Sequence, residues 1–194
     1  THQKDIAPGS ISELLKVSIP IIISQASSSL MMFTDRLVLT NLGREYPAAS
    51  MSGGFTSFML VIFFVGIVTY INPLVSQHIG ANKEGAIPSI VSQGLLLTLL
   101  TSPFFLWGGF AWVPIYFTWA ATPPVEMSLA LDYFNVIHWG SFFVVINSVF
   151  SSFFAGLERT IVVMVVNVLG MLVNIPLTYF LVHNGINGQY LGVE

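Results

Sequence analysis

The sequence predicts an all-α integral membrane protein built as a bundle of five transmembrane helices. Three observations lead there. Of 194 residues, 54% are hydrophobic and 8% charged, and the mean hydropathy is +0.80. A water-soluble domain carries about a quarter charged residues, so this chain could not cover its own surface in water. Five apolar stretches each reach the roughly 20 residues that a helix needs to cross a bilayer. The breaks between those stretches carry most of the charges. The net charge of −3 is too small to call for an acidic or basic partner, and nothing points to nucleic acid. With no cysteine, disulfides and thiolate metal sites are excluded.

The first span runs from about residue 14 to 42. Ser12 and Glu13 open it, Pro20 falls in its early turns, and Gly43 breaks it. The second, about 48–79, is long and contains Pro73, which predicts a bend or an extension out of the membrane. The third is expected over 87–112. A loop from Trp112 to Pro124 then holds Trp112, Tyr116 and Trp119, as an interfacial aromatic belt would. The fourth span is about 125–154 and the fifth about 161–182. The turns between spans are Gly43 to Pro47, Gly80 to Gly85 and Gly156 to Thr160. Residues 183–194, with Asn184-Gly185 and Asn187-Gly188, read as an extracytoplasmic loop.

Five spans put the two ends on opposite sides. Residues 1–13 are polar, hold Pro8 and Gly9, and lack the pattern of a secretory signal, so they read as a cytoplasmic lead-in. Lys4, Lys16, Lys83 and Arg159 fall on that side, against Arg36 and Arg44 on or towards the other. This excess of cations marks the N-terminal side as cytoplasmic. A bare start at Thr1 is expected of a partial chain.

Asp35 is the residue that most needs explaining. A carboxylate inside an apolar span is costly, and such groups usually serve an ion or substrate pathway. Residues three, four and seven apart share a helix face. Gln25, Ser28, Met32 and Asp35 therefore make one stripe on the first span. Tyr133, Ile137, Gly140, Val144, Asn147 and Ser151 make one on the fourth. Asn167, Met171, Asn174 and Thr178 make one on the fifth. At about 1.5 Å of rise per residue, Asp35 lies about 24 Å beyond Ile19 and Asn174 about 20 Å beyond Ile161. Tyr133 lies about 12 Å below Val125 from the opposite side. Asp35, Tyr133, Asn174 and Thr178 are then expected at one height, a polar cluster around one carboxylate that suits a proton or a small cation.

Plainer explanations compete. Ser, Thr and Asn in membrane helices often only glue neighbours together, which covers Ser28, Ser151 and Thr178 and competes evenly for Asn167 and Asn174. Arg36 could neutralise Asp35, although adjacent residues diverge by about 100° around a helix. Asp132 reads as an interfacial carboxylate. His138 reads as a packed or hydrogen-bonded residue, because no second ligand stands at metal-binding spacing on its face. Enzymatic motifs are missing: there is no glycine-rich phosphate loop, no helical zinc motif and no serine elbow. An intramembrane aspartyl hydrolase would have only Asp35 and Asp132 as its pair.

Four stretches resemble the multidrug and toxic compound extrusion (MATE) transporters. One runs from Leu14 to Gly43, with Ile19-Pro20, Gln25, Asp35 and Asn41-Leu42-Gly43. Another runs from Ala48-Ala49 through Gly66 to Gln77-His78-Ile79-Gly80-Ala81. The third is Phe154 to Thr160. The fourth is Asn174-Ile175-Pro176-Leu177-Thr178-Tyr179, followed by Leu191-Gly192-Val193. Each is weak alone, but their order and spacing cover nearly the whole chain. The fourth is similar to the NorM type within the family.

The resemblance implies a transporter of two six-helix lobes around a cavity, with this chain supplying five helices of the N-terminal lobe and stopping before a sixth. It implies an antiporter coupled to protons or sodium that exports drugs or organic cations from the inner membrane, without a cofactor. It assigns the coupling proton or a sodium ion to Asp35, with Asn174 matching a family asparagine and Tyr133 a family tyrosine. Thr178 stands where some members carry a second aspartate. Gln25, Ser28, Met32, Asn147, Asn167 and Met171 are then expected along the cavity. A lipid or polysaccharide flippase of the same superfamily is a rival, weakened because Arg36 is the one cation deep within a span. A truncated, non-transporting scaffold is another.

Overall fold

The structure is a computed structural model and describes residues 11–41, 43 and 45–184. The expected lead-in over residues 1–10 and the tail from 185 lie outside the described residues. All the regular structure described is helical: α1 (Ile11–Leu39), α2 (Glu45–Thr69), α3 (Ile71–Gly80), a 3₁₀ turn (Glu84–Ala86), α4 (Ile87–Trp119), α5 (Pro124–Gly156) and α6 (Thr160–Asn184). Five stretches are long and apolar enough to cross a membrane: Leu14–Leu39, Tyr46–Gly80, Glu84–Trp119, Pro124–Gly156 and Thr160–Val182. They fall into two compact units, one holding α1 and α6, the other α2 to α5.

Prolines decide where the helices differ from the simple hydropathy pattern. Pro73 has no N–H, so the Thr69 carbonyl loses its donor. The second span breaks there, between α2 and α3. The Tyr70 N–H turns back to the Ile67 carbonyl at 3.2 Å, and the Leu74 N–H picks up Tyr70 at 3.3 Å. Pro103 frees the Leu99 carbonyl in the same way, but the Ser102 hydroxyl donates to it at 2.9 Å, and α4 continues. It also runs through Pro114, with the Thr118 hydroxyl bonded to the Pro114 carbonyl at 2.8 Å. The third span is thus two turns longer than expected. Trp112, Tyr116 and Trp119 are exposed residues of the helix and not of a loop.

Two helix ends close by the same device. After α3 the N–H of Asn82 bonds to Ile79 and that of Lys83 to His78, at 3.0 and 2.8 Å. After α4, Ala121 bonds to Thr118 and Thr122 to Phe117, both at 3.2 Å. Both are Schellman closures and place Asn82 (φ 56) and Ala121 (φ 52) in the left-handed region.

The unit of α2 to α5 has its core on α5. The buried stripe there is Ala130, Phe134, His138, Ser141, Val145, Val149, Ser152 and Gly156. Ala49, Val113 and Phe117 pack with Ala130 and Phe134. Gly53 on α2 lets the backbones meet: a Cβ there would stand 2.5 Å from the Ala130 carbonyl oxygen. Such small-residue contact is how helices associate where lipid removes the hydrophobic drive.

Candidate functional site

In the unit of α1 and α6 the Asp35 carboxylate is half-buried. The Thr178 hydroxyl donates to its Oδ1 at 2.9 Å. Asn174, one turn earlier on α6, brings its amide oxygen to 3.5 Å from the same hydroxyl. A hydroxyl has one proton, and the short bond to Asp35 takes it. The amide therefore serves Thr178 best with its NH₂ turned towards the hydroxyl oxygen, an exchange of O for N that rotation allows. No fully buried side-chain oxygen or nitrogen among the described residues lacks a partner.

Further along the same pair of helices Asn167 donates to the Ser24 hydroxyl, and the Thr160 hydroxyl to the Val17 carbonyl at 3.4 Å. Ser24 and Ser27 are buried. Ser27 and Ser28 bond back to the carbonyls of Ile23 and Ser24, at 2.8 and 3.3 Å. The stripe expected on α1 is thus rotated by about one residue. Ser28 and Asp35 lie half-buried, while Gln25 and Met32 are exposed, as is Arg36. On α6, Asn167, Met171, Asn174 and Thr178 are all half-buried. Ser24 was legible only as the neighbour of Gln25; its signal is its spacing from Asn167.

Tyr133 and Asn147 belong to the other unit. The half-buried Tyr133 ring lies over Gly53 and Gly54, 3.3 and 3.4 Å from where their Cβ atoms would be. Asn147 is exposed. The stripe expected from Tyr133 to Ser151 is half-buried to exposed, and the buried face of α5 is the adjacent one that carries His138. Its Nε2 lies 2.9 Å from the Phe105 carbonyl oxygen on α4, so Nε2 bears the proton. Its Nδ1 lies 3.0 Å from the Ser57 hydroxyl on α2. Ser57 and Ser141 are 3.2 Å apart. The ring stacks on Phe134 at 4.5 Å and meets Phe110 edge-on at 5.3 Å. His138 is therefore a hydrogen-bonded packing residue that ties three helices together, as its sequence context suggests. Ser57 and Ser141 are additions that polarity alone did not single out.

A family model described as MatE matches residues 20–180. The multidrug resistance protein MdtK of Edwardsiella ictaluri is 27% identical over 179 residues, which is 92% of this chain and 39% of that protein. The multidrug resistance protein NorM of Vibrio cholerae is 28% identical over 190 residues, 93% of this chain and 39% of that one. Among solved structures, a MOP superfamily transporter from Pyrococcus furiosus superposes with a TM-score of 0.78 at 21% identity, over 91% of this chain and 39% of that one. A crystal structure of MATE in complex with MaD3S gives 0.77 at 22% identity, over 89% and 39%. The fold is shared with these structures, and the chain spans about two-fifths of the length of each relative.

Proposed function

This chain belongs to the MatE family, and we propose that it is the greater part of the N-terminal lobe of an antiporter that exports drugs or organic cations. In this reading Asp35 is the coupling group and takes up a proton or a sodium ion. The observation that carries it is the 2.9 Å bond from Thr178 to a half-buried carboxylate inside an apolar span. The multidrug resistance proteins among the relatives support the substrate class.

The chemistry follows from what a hydroxyl can do. With Asp35 ionised and empty, Thr178 donates its proton to the carboxylate. When Asp35 is protonated it becomes a donor itself, and the Thr178 oxygen can turn to accept. When a sodium ion binds, the Thr178 oxygen and the Asn174 amide oxygen can turn towards it as neutral ligands, since hard cations prefer oxygen. Either event cancels the charge and rearranges the bond between α1 and α6. A ligand that contacts two conformations differently shifts their populations, and that is the requirement for coupling. Tyr133 joins the proposal as a family-matched residue, as do Gln25, Ser28, Met32, Asn147, Asn167 and Met171 along the substrate path. The N-terminus is proposed to be cytoplasmic, in the inner membrane, with the second lobe as partner.

The test is ion-driven efflux by the full-length protein in proteoliposomes. Asp35→Asn keeps the shape and the hydrogen-bonding capacity but cannot ionise. Uptake driven by an imposed proton or sodium gradient should be lost, while drug binding persists. Undiminished gradient-driven transport by that variant would remove Asp35 from the coupling role.

A further inference from the structure

Among the described residues, three hydrogen bonds between α1 and α6 link residues 143 positions apart: Val17 with Thr160, Ser24 with Asn167, and Asp35 with Thr178. A constant offset means that the two helices run parallel and keep one register along the pair. On α1 the three positions are 7 and then 11 residues apart. Together that is five turns at 3.6 residues per turn, so one face carries all three.

The residue types also fit a second register, one turn away. With residues 139 apart brought together, Asn167 faces Ser28 and Asn174 faces Asp35. The slip is four residues, about 6 Å or roughly one turn, and one-turn shifts of this kind are a known mode of conformational change. Ser28 is a ready partner, because its hydroxyl makes only a long bond, 3.3 Å, back to Ser24 of its own helix. In the slipped register Thr178 would leave the carboxylate and an amide would take its place.

The rungs are not equal in choosing between these registers. Thr160 bonds to a backbone carbonyl, which every position offers. Thr178 belongs to the ion site, whose bonds must change during transport. Ser24 with Asn167 is a side-chain pair that is specific to one register and lies apart from that site. The geometry points to Ser24 and Asn167 as positioning residues that lock α1 and α6 in the register placing Thr178 against Asp35. The consequence for transport rests on the coupling site proposed above; the register itself does not.

Cysteine pairs in the full-length protein read the register directly. Val38→Cys with Leu181→Cys are 143 apart, and Val38→Cys with Leu177→Cys are 139 apart. The first pair should cross-link and the second should not. Adding Ser24→Ala should lower the ratio of first to second by about 3-fold to 20-fold, the worth of one hydrogen bond between membrane helices. Ser24→Thr, which keeps the hydroxyl, should hold the ratio. So should the exchange Ser24→Asn with Asn167→Ser, which also keeps the idea testable if the alanine variant is poorly produced. The alanine variant should shift the ion dependence of transport, and the threonine variant should not. An unchanged ratio in Ser24→Ala, or a ratio lost in both the threonine and exchange variants, would overturn the pin. A shifted ratio with unchanged ion dependence would keep the pin and remove the coupling reading.

Discussion

A carboxylate in an apolar span must be met by a donor, a cation or a proton, and in α1 the donor is Thr178. Hydrogen bonds to charged groups contribute about 1.5–3 kcal/mol, more than an exposed ion pair, which gives about 0–1 kcal/mol. Arg36 is exposed, one position further round the helix. These magnitudes separate two explanations of how Asp35 is accommodated. Thr178→Val keeps the shape and removes the hydroxyl, so the ion concentration for half-maximal transport should move by about tenfold or more. Thr178→Ser should stay close to the parent protein. Arg36→Gln should move the same quantity by less than about fivefold. Equal damage from Arg36→Gln and Thr178→Val in a proteoliposome titration would make the arginine, and not the threonine, the group that settles the charge.

At the scale of helices, His138 is the fastening between α2, α4 and α5. A Cβ on Gly109 would fall on its ring, so the glycine and the histidine form one fitted contact. His138→Ala should cost about 2–5 kcal/mol through the cavity and the lost bonds to Ser57 and the Phe105 carbonyl. Gly109→Ala should cost about 1–3 kcal/mol by overpacking. Combined, they should cost less than the sum, because removing the ring makes room for the methyl. Thermal unfolding of the four proteins in detergent checks this, and strict additivity would show that the ring does not occupy that space. Much of the architecture was legible beforehand for a simple reason: length and hydropathy locate a span whatever it packs against. The Asp35, Asn174 and Thr178 grouping was legible because polar residues are scarce at that depth. Which face of α5 is buried was not, since in lipid the outward face is as apolar as the core and the 3.6-residue contrast disappears. The polar stripe through Tyr133 and Asn147 therefore drew attention away from the His138 face. The length of α4 was hidden too, because Trp112, Tyr116 and Trp119 read as an interfacial loop while the helix runs on through Pro114.

The described residues hold five stretches long and apolar enough to cross a membrane; successive crossings put loops on alternate sides, so one loop's location determines all the others. Lys16 near the start of α1, Lys83 before the 3₁₀ turn and Arg159 before α6 fall together under that alternation. The turn of Ala120 to Pro123 between α4 and α5 carries no charge and falls opposite. Cations are retained on the cytoplasmic side, so the orientation proposed above has the Lys83 and Arg159 turns inside and the Thr122 turn outside. The outer ends of α1 and α6 then carry Asp35 and Thr178, so the proposed ion site lies nearer the side from which a coupling ion would enter an exporter. This chain contains no cysteine, so single cysteines can report on it in a full-length protein freed of any others. A membrane-impermeant maleimide added to intact cells should label Thr122→Cys within minutes and leave Glu84→Cys and Glu158→Cys untouched until the membrane is opened. The reverse pattern would invert the orientation and set Asp35 towards the cytoplasm. The proposed site would then lie in the cytoplasmic half of the span, and an ion entering from outside would need a longer path to reach it.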